Sequence, residues 1–309
     1  MHSVLQLIRR RNHEDTDEAT ATDDTRWVAS IAGTTCLVLD SPHSGTLYRA
    51  DFGTSCDMAT LRRAEDTHVE KLYDFAPSLG AAWIEALFPR SYLDVNRDTT
   101  ELDTALIDGA WPHPVATDPA VLSKVRLGKG LIWKYTDDGV PIYDRLLSVR
   151  EVEDRIAQCW TPYHAAVGAA IDAAHARHGR AIHINCHSMP AVAGSHATDF
   201  PGLAHADFVI GDRDGTTADP ALSLRLCDFL RDRGYSVEYN HPYKGVELVR
   251  RHGRPSDNRH SIQVEINRAL YMDEGTLDVV QGGFDRLQAD LRAMMVMLLA
   301  SAGGASAPA

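Results

Sequence analysis

The stretch VLDSPHSGTLY, residues 38–48, contains an apolar run that ends in a Pro-His-Ser-Gly turn. A continuous apolar run bounded by turn residues predicts a buried strand. Loops that follow strands are where α/β proteins place ligands and catalytic groups. His43 is therefore the first candidate functional residue. The fold class can be predicted only if similar strands are found along the rest of the chain.

Strands and helices alternate along the remaining sequence. Further strands are predicted within residues 180–190, 206–215, 235–245 and 260–272, and helices within residues 151–179, 219–234 and 284–304. We also predict a helix over residues 66–87 and a short strand over residues 91–98. The pattern predicts a single α/β domain with a mixed, mostly parallel sheet and helices on both faces.

The expected domain boundaries follow from local composition. Residues 1–26 are acidic and Thr-rich in their second half and predict a flexible acidic N-terminal arm. Residues 27–302 would form the folded domain, and residues 303–309 a disordered tail. Within the domain, residues 99–150 are rich in Gly, Pro and Asp and predict a long excursion with short elements.

Composition excludes several classes of protein. The chain has 309 residues, 44% of them hydrophobic, and a formal net charge of −12. That charge argues against binding to nucleic acid or to an anionic membrane surface, which require a basic footprint. Five cysteines without a CxxC spacing favour a reducing cytosol over a disulfide framework. No signal peptide, membrane span or phosphate-binding loop is recognisable, so nucleotide chemistry is not expected.

Polar residues stand at the ends of several predicted strands, and parallel strands bring such ends to one edge of a sheet. His43 and His187 are the histidines in this set. Two imidazoles, a carboxylate and a water are typical of a catalytic zinc site. Spacing does not choose the carboxylate: Asp66 is a good candidate and Glu70, one turn later, a poorer one. A single strand-end histidine is more often structural, so the metal hypothesis rests on the pair.

Glu265 lies in the apolar segment IQVEI, residues 262–266. Burial of a carboxylate costs several kcal/mol unless it has a partner or a function. A structural ion pair with Arg268 or Arg251 is one explanation, and a catalytic role is the other. A serine or cysteine hydrolase is the competing chemistry, but the GxSxG motif is absent. Ser44, Ser188 and Cys186 each neighbour a candidate histidine and would point to the opposite face of a strand.

Several motifs occur in the order seen in N-formylglutamate amidohydrolases, also called N-formylglutamate deformylases. They are SPHSGTLY, EDTHVEKLYDFA, SYLDVNRD, NCHSMP, GDRDGTTADPAL, YKGVELVRRHGRP and HSIQVEINRALYMDE. Together they cover about residues 35–300, so the sequence resembles this family over nearly the whole folded chain. The resemblance implies a fold related to the zinc carboxypeptidases and the aspartoacylase group.

The resemblance also implies roles for particular residues. The metal ligands would be His43, Asp66 and His187, and the general base would be Glu265. Substrate contacts would come from Asn96 and Arg97, which resemble a pair that grips a carboxylate, and with less support from Arg251 and Arg268. Because a dicarboxylate substrate needs a second cation, Lys244 is a further candidate.

The predicted function is metal-dependent cleavage of the N-formyl or N-acyl amide of a carboxylate-bearing amino acid, most readily N-formyl-L-glutamate. The alternatives are a metallohydrolase of the same fold acting on another N-acyl amino acid or short peptide, and a non-catalytic carboxylate-binding homologue. Zn²⁺ suits the ligand set best, although iron, cobalt and manganese are compatible with it. The expected partner is a small molecule, and the resemblance implies a cytoplasmic enzyme of histidine degradation. The sequence does not indicate an oligomeric state.

Overall fold

The structure is a computed structural model, and it describes residues 27–194 and 201–303. The predicted N-terminal arm and, apart from Gly303, the predicted tail lie outside the described residues. The strands are β1 (Val28–Ile31), β2 (Leu37–Ser41), β3 (Ala82–Ala86), β4 (Ile107–Asp108), β5 (Leu147–Ser148), β6 (Ala181–Met189), β7 (Phe208–Gly211), β8 (Val237–Tyr239) and β9 (Arg259–Asn267). The helices are α1 (Met58–Arg62), α2 (Val69–Leu72), α3 (Pro119–Arg126), α4 (Val149–Arg155), α5 (Thr161–His178), α6 (Pro220–Arg231), α7 (Glu247–His252) and α8 (Gln281–Gly303).

Seven of these strands form one sheet in the order β1-β3-β2-β6-β9-β7-β8. Strands β3, β2, β6 and β9 run parallel to one another, and β8 is parallel to β7. Strands β1 and β7 are antiparallel to their neighbours β3 and β9. The predicted mixed, mostly parallel sheet is therefore confirmed, and the carboxyl ends of β2, β6 and β9 meet at one edge.

Helices cover both faces of the sheet, as predicted. On one face, Leu39, Ile184 and Val264 pack with residues of α2, α6 and α8 in one buried cluster. On the other face, Val38 and Ile84 belong to a second cluster that includes residues of α5. Each parallel strand is thus buried on both faces, which explains why these strands read as apolar runs in the sequence.

The helix predicted over residues 151–179 is confirmed, with one interruption. Helix α4 begins after a capping box in which Ser148 and Glu151 each satisfy the other's backbone N–H group. A π-helical turn at Ile156–Trp160 joins α4 to α5, and Gly179 ends α5 in the left-handed conformation with φ 65°.

Two predictions of local structure were wrong. The helix predicted over residues 66–87 is limited to α2 and a 3-10 turn at Ala76–Leu79, and its last part is strand β3. Pro77 and Gly80 interrupt the helix, and pairing with β2 then overrides the helical pattern. Residues 91–98 form turns, because the Asp94 backbone bonds to the Leu131 carbonyl group instead of to a strand. Strand β1 was not predicted at all.

The excursion predicted at residues 99–150 is confirmed as a run of short elements: a 3-10 turn at Thr104–Leu106, β4, α3 and β5. Strands β4 and β5 pair as a separate two-stranded sheet. Within the described residues, no helix combines the length and the apolar character needed to cross a membrane.

Candidate active site

A tight turn after β2 holds His43 at the edge of the sheet. Gly45 is required in this turn, because a Cβ atom built there would lie 2.3 Å from the carbonyl oxygen of Phe88. The hydroxyl groups of Ser41 and Ser44 lie 2.6 Å apart and are buried within the turn. The turn is thus packed against the chain that follows β3, and the histidine is held in one place.

His43, Asp66 and His187 come together although 144 positions separate the histidines (187 − 43). One possible ligand atom from each lies within 4.8 Å of the others, and all three side chains are buried. The Oδ2 atom of Asp66 is 3.4 Å from Nδ1 of His43 and 3.0 Å from Nδ1 of His187. The two ring centroids are 4.7 Å apart. The three residues that the resemblance implies as metal ligands therefore form one cluster.

The Nε2 atom of each of these two histidines contacts a side-chain oxygen of another residue. Nε2 of His43 is 2.7 Å from Oδ1 of Asp94, and Nε2 of His187 is 2.8 Å from Oδ1 of Asn185. Burial lowers the pKa of His187, which keeps its ring neutral with a single proton. Its Nε2 atom faces the acceptor oxygen of Asn185, and its Nδ1 atom faces Asp66. Such outer partners orient ligating histidines and set their tautomer in metal sites.

Nδ1 of His187 lies 3.0 Å from a carboxylate oxygen of Asp66. Nδ1 of His43 is buried and has no hydrogen-bond partner within residues 27–194 and 201–303. Tetrahedral bonds of about 2.0–2.1 Å put zinc ligands about 3.3 Å apart, close to the separations here. The cluster fits a divalent metal ion.

Arginine residues hold Asp66 in this cluster. Nη2 of Arg268 donates to the Glu65 carbonyl oxygen at 2.7 Å and lies 3.3 Å from Oδ1 of Asp66. The backbone N–H of Asp66 donates to the His43 carbonyl oxygen. Burial would raise the pKa of Asp66, but the two histidines and the charge of Arg90 lower it well below its ordinary value. Asp66 is thus ionised, whereas Glu70 is not part of the cluster.

Arg90 was missed by the sequence analysis. Its Nη1 atom lies 3.5 Å from Oδ1 of Asp66, and its Nη2 atom donates to Oδ2 of Asp94 at 3.1 Å. Burial would raise the pKa of Asp94, but His43 and Arg90 lower it well below its ordinary value. Arg90 follows β3, so only the correct position of that strand could have pointed to it.

A row of polar side chains on one face of β6 leads to His187. Asn185 Nδ2 donates to Oδ1 of Asp40 at 2.8 Å, and His183 Nε2 lies 2.9 Å from the same oxygen. Tyr163 donates to Oδ2 of Asp40 at 2.7 Å. Asp40 is thus satisfied on all sides, and it fixes the orientation of the Asn185 amide. The alternation of polar and apolar residues in AIHINCHSM was the signal from which this row could have been predicted.

Glu265 stands beside the cluster on the neighbouring strand. His187 and Glu265 are direct partners in the parallel pairing of β6 and β9. Burial, with the negative charge of Asp66 as a smaller cause, raises the pKa of Glu265 to about 8. Gln263 donates a hydrogen bond of 2.8 Å to Oε1 of Glu265. A buried carboxyl with raised proton affinity next to a metal site is typical of a general acid–base group.

The residues predicted to contact substrate have different surroundings. Oδ1 of Asn96 accepts from the Leu248 backbone at 2.9 Å, and its Nδ2 lies 3.3 Å from Nε2 of His187. Arg97 is buried, its Nε atom has no hydrogen-bond partner in the described part of the chain, and its Nη1 is 4.0 Å from Glu101. Arg97 therefore has an N–H group left to donate to a substrate, whereas the side-chain oxygen and nitrogen of Asn96 already contact protein groups.

Arg251 and Arg268, the other predicted substrate contacts, donate to protein groups. Arg251 bonds to Glu247 at 2.6 Å and to Asp98 at 3.2 Å. Arg268 donates to Ser188, to backbone carbonyl groups on the loop that carries Asp66, and to Asp66 itself. These contacts are typical of residues that position others.

The hydroxyl and thiol groups next to the two histidines are not arranged as the nucleophile of a serine or cysteine hydrolase. Ser44 contacts Ser41, and Ser188 accepts from Arg268. Cys186 is fully buried in the hydrophobic cluster behind the sheet, as predicted. Burial raises the pKa of its thiol well above the ordinary value. None of the three hydroxyl or thiol groups is therefore an activated nucleophile.

The profile of a protein family, N-formylglutamate amidohydrolase, matches residues 35–272 of the chain. The chain belongs to the N-formylglutamate amidohydrolase family. It is therefore an amidohydrolase, an enzyme that acts on a linear amide, as the sequence predicted. The resemblance noted in the motifs is confirmed.

Members and relatives of this family agree with the match. The chain is 30% identical over 244 residues to an N-formylglutamate deformylase of Pseudomonas aeruginosa, covering 77% of this chain and 82% of the relative. A deformylase of Pseudomonas putida is 29% identical over 243 residues, with 77% and 82% covered. The crystal structure of N-formylglutamate amidohydrolase from Ralstonia eutropha JMP134 is 44% identical, with a TM-score of 0.83, covering 89% of this chain and 98% of that one.

Proposed function

We propose that this member of the family is a metal-dependent enzyme that hydrolyses N-formyl-L-glutamate to formate and L-glutamate. The names of the Pseudomonas and Ralstonia relatives support the substrate. The observation that carries the metal dependence is the convergence of one possible ligand atom each from His43, Asp66 and His187 in a buried cluster.

The proposed ligands are Nδ1 of His43, Nδ1 of His187 and Oδ2 of Asp66. Two imidazoles and one carboxylate with an open position match catalytic zinc sites, and we propose Zn²⁺. A divalent ion bound there would act as a Lewis acid and lower the pKa of a water molecule toward neutrality. Asp94 and Asn185 would hold the two imidazoles in the tautomers that leave Nδ1 free.

Glu265 is proposed as the general base and acid. Its carboxylate would accept a proton from the attacking water and then return it to the amine of the leaving amino acid. Its position directly across from His187 in the sheet supports this role. Arg90 would stabilise the negative charge that develops on the carbonyl oxygen, because its guanidinium lies at the same cluster.

Arg97 is proposed to hold one carboxylate of the substrate through paired hydrogen bonds. Its charge acts on Asp94, so it lies near the cluster, and its free Nε atom supports an unfilled donor role. Asn96 and Arg268 are proposed to position the site, Asn96 through the His187 ring and Arg268 through the Asp66 loop. The location in the cytoplasm and the part in histidine degradation that the resemblance implies stay predictions.

The test of this function is formate release. We expect the purified enzyme to contain about one zinc ion per chain and to release formate from N-formyl-L-glutamate. A chelator should abolish the reaction, and added zinc should restore it. A panel of N-acetylated amino acids and short peptides is the control for substrate class. Turnover that survives complete metal removal would contradict the metal dependence, and binding without turnover would contradict the enzyme.

Asn185→Leu is expected to weaken zinc binding by about 10- to 100-fold, the usual effect of losing an outer partner of a metal ligand. The change removes the acceptor that holds the proton on Nε2 of His187, while Asp40 keeps His183 and Tyr163 as partners. Zinc affinity is measured by competition with a chromophoric chelator. Thermal unfolding of the metal-free protein is the control for folding, and an unchanged affinity would contradict the orienting role.

Arg97→Lys is expected to raise the KM for N-formyl-L-glutamate with little change in kcat, because lysine lacks the planar fork that binds a carboxylate at two points. Steady-state kinetics measure the effect. Arg251→Lys is the matched variant, since Arg251 is the other cation predicted from sequence in this region. If Arg251→Lys raised the KM and Arg97→Lys did not, the carboxylate contact would be assigned to Arg251 on α7.

A further inference from the structure

The proposed substrate carries two carboxylates, and Arg97 accounts for one of them. The cations predicted from sequence for the second are engaged elsewhere. Arg251 is paired with the buried carboxylate of Glu247. Lys244 is 56% exposed and therefore lies at the surface, where it pairs with Asp214. Arg268 uses its donors on the loop that carries Asp66. A different cation is therefore needed near the cluster.

Lys129 lies on a segment that runs directly beside the candidate active site. The Leu131 carbonyl oxygen accepts from the backbone of Asp94 at 2.8 Å, and the Leu131 N–H donates to the Glu101 carbonyl at 2.7 Å. Lys129 and Trp133 face each other across a bridge of this segment. The backbone thus places this segment against Asp94, the residue that contacts His43.

An unbroken chain of contacts joins Lys129 to the cluster. Its Nζ atom lies 3.6 Å from the ring centroid of Trp133, a close cation–π distance. The indole N–H of Trp133 donates to Oδ2 of Asp94 at 3.2 Å, and Asp94 contacts His43. Arg90 lies 4.7 Å from the centroid of the same indole ring. Trp133 therefore holds two cations at this side of the site.

The contact between Lys129 and Asp137 shows how a carboxylate can bind to this lysine. The Oδ1 atom of Asp137 lies 2.7 Å from Nζ of Lys129, and the Asp137 side chain is 58% exposed. The positive charges of Lys129, Arg90 and Arg268 lower the pKa of Asp137. Three positive charges thus act on one carboxylate beside the cluster. Because Asp137 is the exposed partner of this pair and the Lys129 side chain is only 16% exposed, an incoming carboxylate can replace Asp137 on the lysine.

We propose that Lys129 binds the side-chain carboxylate of the substrate in place of Asp137, and so determines the preference for an acidic N-formyl amino acid. The inference rests on the proposed function and adds the residue that selects the substrate class. The aromatic face of Trp133 positions the ammonium group, and Asp137 acts as an internal anion when the site is empty of substrate.

The experiment compares N-formyl-L-glutamate with N-formyl-L-leucine, whose side chain is neutral. Lys129→Met is expected to raise the KM for the glutamate substrate by about 10- to 100-fold, the usual effect of losing a hydrogen bond to a charged group. The kcat/KM for the leucine substrate and the zinc content should stay as in the wild type. Lys129→Arg should keep most of the preference, because it keeps the charge.

Asp137→Asn is the matched control, since it keeps Lys129 and removes only the competing anion. Its KM for N-formyl-L-glutamate should equal or fall below that of the wild type. If Asp137→Asn raises KM as strongly as Lys129→Met, the pair is structural and the proposal is wrong. An unchanged preference in an active, zinc-loaded Lys129→Met enzyme also overturns it. A wild type that hydrolyses neither substrate would instead contradict the proposed function, and this inference with it.

Discussion

Replacing His43 or His187 by alanine is expected to remove bound zinc and formate release together, reducing turnover to that of a blank without enzyme. Each imidazole supplies one of the three proposed ligand atoms, so neither remaining pair can hold the ion at low concentration. The fold should survive, because each substitution costs only about 1–3 kcal/mol for the unpaired outer partner. Elemental analysis, formate release and circular dichroism measure the three effects.

His260→Ala is the matched control for both variants. It also removes a buried imidazole, but one at the start of β9, where Nδ1 accepts from the Asp219 backbone far from the strand end that carries Glu265. The control should keep zinc and activity. Full activity in a zinc-free His43 or His187 variant would contradict the assignment of the ligands.

Glu265→Gln is expected to keep zinc and substrate binding and to lower kcat by about 10²- to 10⁴-fold, the usual contribution of a general acid–base group. The amide has the same shape and can still accept the hydrogen bond from Gln263. Since burial disfavours the ionised carboxylate, its neutral replacement should leave the melting temperature equal or higher. Zinc content, KM, kcat and thermal unfolding distinguish these effects.

Glu85→Gln is the matched control for this variant. Glu85 is also buried in the main sheet, on β3, where it accepts a hydrogen bond of 3.1 Å from the indole of Trp83. Its substitution should not change the kcat. A Glu265→Gln enzyme with the wild-type rate would show that Glu265 is structural and that another group moves the proton.

The buried strands that carry the proposed chemistry could be predicted from sequence. Strands β2, β6 and β9 combine apolar runs with turn residues at their ends, and parallel strands share an edge. The positions of His43, His187 and Glu265 follow from those local patterns. The family motifs then linked the same residues to an amidohydrolase, which the match over residues 35–272 confirms.

Residues 66–87 show where local pattern fails. Their apolar spacing favours a helix, yet Ala82–Ala86 becomes β3 because it fills the place beside β2. That placement decides where Arg90 and Asp94 lie, so the partners of His43 were not apparent. The roles of Lys129 and Trp133 were not apparent from the sequence either, since only the fold of residues 99–150 brings Trp133 against Asp94.

The sequence by itself determined which residues end buried strands, and therefore which imidazoles and which carboxyl group could meet at one edge. It left the third ligand open between Asp66 and Glu70. The tertiary structure brings Asp66, and not Glu70, into the cluster, because the Asp66 backbone N–H donates to the His43 carbonyl oxygen and Arg268 donates to the Asp66 carboxylate. Strand signals are local and repeat along the chain, whereas a ligand cluster depends on distances between segments that only packing brings together.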